Sequence, residues 1–296
     1  MNRLRALLGD MDENVPVLLD GGLGTLLQDH GLDDGGSGEL WNVERPEVVT
    51  GIHEAYAEAG ARILTTNTFG GTRPRLAMHG LEDRVHELNR AGAELATGVA
   101  RRYGVLVAGD LGPTGELLSP LGAMEPTEAQ VLFEEQLAGL RDGGIDVVLV
   151  ETMSDLAEVL TAVAAAREVA PDVPVITTLS FDTNLRTMMG VRPEDAVAAL
   201  AEAGVDAVGA NCGRGPGEME AIAEQLTRAR ADGLLVVAQS NAGLPQLVGD
   251  RFVYDASPED LAEHARVLRD LGVDLVGACC GSTPAHIAAM SRALSA

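Results

Sequence analysis

The chain is predicted to fold as a TIM-type (β/α)8 barrel forming one domain over residues 1–296, and three observations carry that expectation. Eight short apolar runs rich in β-branched residues alternate with helical stretches, the pattern of a parallel sheet covered by helices. No linker or low-complexity tract divides the 296 residues. A chain of this length with 46% hydrophobic residues can bury one large core, and barrels of this size are routinely single domains.

The strands are expected at residues 15–20 (VPVLLD), 62–68 (RILTTNT), 105–110 (VLVAGD), 147–152 (VVLVET), 174–181 (PVITTLSF), 207–212 (AVGANC), 234–241 (LLVVAQSN) and 275–280 (LVGACC). A helix follows each, beginning after Pro46, near Leu81, at Thr127 and Ser154, and at Pro193, Pro216, Pro258 and Pro284. Proline, serine and threonine at these starts are the residues that suit a helix N-terminus. Eight such units in this length favour a closed barrel over an open doubly wound sheet.

Active sites of this fold lie at the C-terminal ends of the strands. Those ends carry Asp20, Thr66, Asn67, Asp110, Glu151, Ser180, Asp182, Asn211, Cys212, Ser240, Asn241, Cys279 and Cys280. The three cysteines of the chain all stop at this rim, although free cysteine is ordinarily a core residue. A fold that brings the two segments together makes a three-sulfur site, and zinc with three protein ligands keeps one position for substrate. No CxxC spacing marks a generic zinc motif, so the cysteines alone leave a buried-thiol reading equally open.

The formal net charge of -24 sets the protein against nucleic acid or an anionic membrane surface as partner. All 21 basic residues are arginine, which removes lysine Schiff-base chemistry and lysine-type phosphate loops. GGLGT lacks the third glycine of a dinucleotide loop, and cysteines make GACCGST a poor cradle for phosphate. The N-terminal apolar stretch is too short and too interrupted by acids for a signal peptide. No apolar run reaches membrane-spanning length, so a cytoplasmic protein with reduced thiols is expected.

The motifs DGGLGT, ILTTNTFGGTRPRL, GDLGPTGE, VETMSD, LSFDTNLRTMMG, GANCGRGP, SNAGLPQ, YDASPEDLAEHA and GACCGSTPAHI occur in an order that resembles the homocysteine S-methyltransferase family. The likeness is to stand-alone bacterial enzymes related to betaine-homocysteine methyltransferases and to the homocysteine module of cobalamin-dependent methionine synthase. It implies a zinc-dependent transfer of a methyl group to the thiol of homocysteine, with Cys212, Cys279 and Cys280 holding Zn2+. Because adjacent side chains of an extended strand point to opposite faces, the chain must bend at the Cys279-Cys280 pair, and Gly277 and Gly281 are the residues expected to permit it.

A free alkyl thiol has a pKa of about 8.5, so only a small fraction is thiolate at neutral pH. Coordination to zinc removes the proton and positions the sulfur for attack. The resemblance implies that Asp20 and Glu151 accept from the homocysteine ammonium, and the backbone of Gly21, Gly22 and Leu23 is expected to approach its carboxylate closely. Asn67 is counted with the substrate-binding groups, and the resemblance implies that Asn241 fills the fourth metal position before substrate arrives, an Asx turn before Gly243 and Pro245 being the other reading of this residue.

The methyl donor is expected to be a small cation such as glycine betaine, with S-methylmethionine as an alternative and methylcobalamin on a separate corrinoid protein as another. No DxHxxG cobalamin motif occurs in the chain. A quaternary ammonium calls for aromatic faces, and Trp41, Phe69, Phe181 and Tyr254 are placed to reach the rim. Trp41 follows the glycine-rich GLDDGGSGEL, which reads as a mobile lid, and is expected either to contact the donor or to pack this loop onto the barrel. Glu116 and Glu125 would favour a cationic donor. A homo-oligomer is left open, as is a non-catalytic zinc-holding or redox-sensing barrel; a sensor has no use for Asp20 and Glu151 in an amino acid pocket.

Overall fold

The computed structural model describes residues 3–9, 15–32, 36–182, 184–248 and 251–295. Eight parallel strands form one sheet: β1 (Val17–Leu18), β2 (Ile63–Thr65), β3 (Leu106–Leu111), β4 (Val147–Met153), β5 (Val175–Leu179), β6 (Ala207–Cys212), β7 (Leu235–Ser240) and the last, β10 (Leu275–Ala278). The order runs β1-β10-β7-β6-β5-β4-β3-β2, and a parallel bridge from Leu19 to Ile63 joins its two ends into a barrel. Between β7 and β10 lies a short antiparallel hairpin, β8 (Gln246–Val248) with β9 (Arg251–Val253).

The eight expected strands are therefore all present, and the expected helices are α4 (Pro46–Glu58), α6 (Val85–Tyr103), α7 (Pro126–Gly143), α8 (Leu156–Val169), α9 (Pro193–Glu202), α10 (Pro216–Ala229), α11 (Pro258–Asp270) and α12 (Pro284–Leu294). Proline stands at the start of six of these, where its missing N–H and fixed φ cost nothing. Four shorter helices were not anticipated: α1 (Arg3–Gly9), α2 (Leu23–Asp29), α3 (Trp41–Glu44) and α5 (Arg73–Ala77). Each is too short for a helical period to stand out from its surroundings.

Alternation along the strands divides the core in two. Val17, Leu19, Ile63, Ala108, Val147, Leu149, Ile176, Val237 and Leu275 fill the barrel interior, and Leu4 and Leu7 of α1 join them. Leu18, Leu64, Val107, Val148, Val150, Val208 and Val236 face the other way and meet the helices. This two-residue period is what a strand with both faces covered requires.

His53 on α4 is fully buried, and neither ring nitrogen has a partner among the described residues. Burial alone lowers its pKa from 6.5 to about 4. The unfolded chain takes up a proton below pH 6.5 that the folded state refuses, so stability falls as pH drops through the window from 6.5 to 4. The linkage is worth roughly 3 kcal/mol across that window. His53→Leu is expected to raise the denaturation midpoint at pH 5 and to flatten its dependence on pH, as urea titrations at pH 5 and pH 7.5 would read. A midpoint difference that does not change between the two pH values would reject this assignment.

Candidate active site

A cavity of about 350 Å³ opens at the C-terminal ends of the strands, and Cys212, Cys279 and Cys280 line it with Asp20, Glu151 and Asp110. The three sulfurs lie within 4.8 Å of one another. Cys212 Sγ is 3.1 Å from Cys279 Sγ, and Cys279 Sγ is 3.9 Å from Cys280 Sγ. Zinc–thiolate bonds of about 2.3 Å in tetrahedral geometry place neighbouring sulfurs about 3.8 Å apart. The trio therefore fits one zinc ion with small adjustments of the side chains.

Backbone turns make this convergence. Strand β10 ends at Ala278, and the chain turns through Cys279 and Cys280 into Gly281 at φ 79°. A side chain at Gly281 would run into the ring of Tyr254. The expected bend is thus present and uses Gly281. Gly277 serves differently: it lies within β10, where a Cβ would come 2.9 Å from Leu19 Cβ and 3.1 Å from Gln239 Cγ, so its smallness lets neighbouring strands pack. Cys212 closes β6 in the left-handed region at φ 62°, and Thr152, next to Glu151, has φ 59°. Each such residue costs on the order of 1–2 kcal/mol.

Asn211 holds both of these strained positions. Its Oδ1 accepts from Thr152 N at 2.9 Å and Thr178 Oγ1 at 2.9 Å, while Nδ2 donates to Thr152 Oγ1 at 2.7 Å. The same Nδ2 faces Cys212 Sγ at 3.7 Å and Cys279 Sγ at 4.0 Å. One buried amide thereby ties the Glu151 strand end to two thiols. Sequence reasoning placed Asn211 at the rim without giving it this positioning role.

The loop after β1 interlocks with the loop after β10. Gly22 N donates to Ser282 Oγ at 2.9 Å, and Ser282 Oγ donates to Cys279 O at 2.7 Å. A Cβ at Gly22 would stand 2.6 Å from Cys279 O, and one at Gly21 would collide with Ser282 Oγ. Gly21, Gly22 and Leu23 line the cavity, and the Gly22 amide is already committed to Ser282.

Asp20 is buried at the end of β1, with Oδ2 accepting Thr65 N at 2.7 Å and Oδ1 accepting Thr65 Oγ1 at 2.8 Å. Loss of hydration on burial nevertheless raises its pKa to about 7. Burial, then the neighbouring charges of Cys280 and Asp20, raises Glu151 to about 8. Asp110 is pushed well up by burial and by Glu151, Glu39 and Asp20. The sulfurs of Cys212 and Cys279 draw the Cys280 thiol down to about 3, while those two thiols are themselves held well above the usual range, so the metal-free trio favours a single negative charge. Burial thus shifts these acids toward their neutral forms near pH 7, and a cation entering the cavity would favour the carboxylates.

Several expected contacts are corrected. Trp41 is 8% exposed, packs in the helix-facing core beneath the Arg45 guanidinium at 4.3 Å, and is not part of the cavity wall. Phe181 is likewise buried in that core. Phe69 lines the cavity, and the Tyr254 ring packs against Gly281, next to Cys280. An aromatic cage around the donor is thus not formed by these four rings. Glu116 and Glu125 are exposed and outside the cavity, Glu125 serving as the N-cap of α7. Glu39 takes their place as a wall acid, held by Gly70 N at 2.7 Å and Ser37 Oγ at 2.7 Å. Of the expected lid, residues 33–35 lie outside the described residues, while Gly36, Ser37 and Gly38 line the cavity.

Asn67 lines the cavity, but its Nδ2 donates to Gly38 O at 2.7 Å and Asn42 Oδ1 at 3.0 Å, pinning the 36–42 segment to β2. Asn241, expected as a metal ligand, instead bridges two thiol-bearing loops: Nδ2 donates to Gly213 O at 2.7 Å, and Oδ1 accepts Cys280 N at 3.0 Å. Its amide is used for positioning in this arrangement. Gln239 lines the floor with Oε1 buried and unpartnered among the described residues, a polar residue facing inward that the apolar reading of β7 passed over.

A profile of the homocysteine S-methyltransferase family matches residues 17–294. The chain belongs to the homocysteine S-methyltransferase family. It is 36% identical to methionine synthase of Mycobacterium tuberculosis over 93% of this chain and 24% of that protein, and to the Mycobacterium leprae protein of the same name over equal shares. The chain thus spans about a quarter of the length of these curated relatives. Among solved structures, homocysteine methyltransferase MmuM from Escherichia coli in its metallated form superposes with a TM-score of 0.83, at 26% identity over 98% of this chain and 99% of that one. Its oxidized form gives the same score at 25% identity over 99% of both chains. Like those structures, this member of the homocysteine S-methyltransferase family is a (β/α)8 barrel. Among the described residues, no helix is long and apolar enough to cross a membrane.

Proposed function

We propose that this chain, acting as one homocysteine-binding barrel, transfers a methyl group from a small cationic donor to the thiol of homocysteine, giving methionine. The observation that carries the reading is the meeting of three sulfurs with Asp20 and Glu151 in one cavity of small-molecule size. Cys212, Cys279 and Cys280 would hold zinc, which supplies a lowered thiol pKa and hence a nucleophile at neutral pH. Asp20 and Glu151 bind the homocysteine ammonium, and that cation favours their ionised forms against the cost of burial. The Gly21–Leu23 turn lies against the amino acid end.

Asn211, Asn241 and Ser282 keep the thiol-bearing loops in register, so that the acceptor sulfur is directed by fixed groups. The homocysteine thiol loses its proton to solvent and attacks the methyl carbon in line. A new carbon–sulfur bond forms while the donor's bond to that carbon breaks, its electron pair neutralising the onium centre. Homocysteine leaves as methionine, a neutral thioether.

A cationic donor is supported by the four acids of the wall, Asp20, Glu39, Asp110 and Glu151. Glycine betaine and S-methylmethionine both meet that requirement, and carboxylates replace the expected aromatic cage as the source of attraction. The likeness to a segment of methionine synthase supports a second reading, methyl transfer from a corrinoid on another protein. Methionine formation from homocysteine, followed in parallel with betaine, S-methylmethionine and methylcobalamin on zinc-loaded protein, separates them. Turnover with a small onium donor is expected; turnover with methylcobalamin alone selects the second reading, and none with any donor rejects both.

A further inference from the structure

We propose that Tyr56 is a positioning residue that fastens the homocysteine turn, Gly21–Leu23, to the sulfur-bearing turn, Cys279–Cys280, and thereby sets homocysteine affinity. The inference rests on the homocysteine methyltransferase reading and adds to it a residue from the helical layer.

Tyr56 lies on α4 and is fully buried in the helix-facing core. Val49 and Ile52, buried on the same helix, are apolar, and an aromatic ring alone would serve that packing. The hydroxyl is the exception. It donates to Gly22 O at 2.9 Å and lies 3.3 Å from Ser282 O. A phenol has one proton to give, and Gly22 O is the nearer acceptor. A buried hydroxyl needs such a partner, so the helix is tied to the two turns at this atom.

Gly22 is held on both sides of its backbone. Ser282 Oγ accepts its N–H at 2.9 Å and in turn donates to Cys279 O at 2.7 Å, while Tyr56 donates to its carbonyl. Both peptide groups that flank Gly22 are therefore fixed, one of them through a residue bonded to the Cys279 carbonyl. Thr25 Oγ1 adds a further link by accepting Gly281 N at 3.4 Å. The joint leaves no room for side chains: a Cβ at Gly21 would stand 2.9 Å from the Tyr56 hydroxyl and collide with Ser282 Oγ.

Homocysteine spans these two turns, with its amino acid end at the first and its sulfur at the second. Freedom between the two grips is lost when the ligand binds and subtracts from affinity. Tyr56 removes that freedom before the ligand arrives. The sulfur end is oriented by the thiol trio, so the hydroxyl acts on binding and not on the transfer step.

Tyr56→Phe deletes the hydroxyl and keeps the ring. Zinc-loaded Tyr56→Phe protein is expected to bind homocysteine about 3- to 10-fold more weakly by calorimetry, with KM raised to match and kcat within about twofold of native. Zinc affinity, read by competition with a chromophoric chelator, should be unchanged. A hydroxyl serving the fold alone would lower the thermal midpoint and leave homocysteine affinity and KM untouched. Ser282→Ala acts on the same glycine, so the double variant should lose less homocysteine affinity than the product of the two single effects. Native homocysteine affinity in Tyr56→Phe, a fall in kcat without a rise in KM, or single effects that simply multiply would overturn the positioning role and leave the methyltransferase reading intact. Failure of the native zinc-loaded protein to bind homocysteine would reject that reading, and the inference with it.

Discussion

Cys280→Ala protein is expected to be purified without zinc and without methyltransferase activity, while retaining its fold. The three sulfurs lie within one ion's reach. Loss of groups that only orient ligands typically costs about 10- to 100-fold in metal affinity, and loss of a ligand itself should exceed that. The Cys279-Cys280 turn sits on the rim, half-buried and outside the barrel interior, so far-ultraviolet circular dichroism and the thermal midpoint should change little. Competition with a chromophoric chelator reads the affinity directly. Retention of one equivalent of zinc at native affinity would remove Cys280 from the ligand set.

The second large effect is expected at Glu151. Glu151→Gln keeps the shape and removes the charge, and loss of one charge-assisted hydrogen bond to the ammonium, about 1.5–3 kcal/mol, raises homocysteine KM by roughly 10- to 100-fold. The same substitution has an independent signature in stability. The Glu151 pKa is about 8 in the fold against 4.5 in the unfolded chain. Between those values the folded state holds a proton that the unfolded state releases, so native stability falls as pH rises from 4.5 to 8. Glu151→Gln removes that slope, and the variant should gain stability over the native protein at pH 8 while binding its substrate worse. An unchanged homocysteine KM, or a variant less stable than native at pH 8, would contradict the role given to this acid.

The barrel was legible because the strands are apolar runs, six of the eight helices that follow them start at a proline, and parallel strands buried on both faces demand that pattern. The sulfur trio was legible because cysteine is rare here and stops at strand ends. Asn211 and Asn241 show what is not legible: a rim asparagine has the same appearance in sequence whether it holds a metal, a substrate or a strained backbone. Only the observed bonds to Thr152, Gly213 and Cys280 assign the two amides to positioning. Trp41 was misplaced for a related reason. Its loop folds into the short α3 and turns the ring inward beneath Arg45, a packing outcome no local pattern announces. Glu39, Asp110, Arg75 and Gln239 come from four separate segments, and their common cavity exists only once the barrel closes.

Thiol protection is the most direct test of the claim that one ion is held by all three sulfurs. Zinc is titrated into reduced, metal-free protein, and alkylation at Cys212, Cys279 and Cys280 is followed separately by mass spectrometry. One equivalent of zinc is expected to protect the three positions together and along a single binding curve. Any one of the three alkylating at its metal-free rate in the zinc-loaded protein would contradict the account.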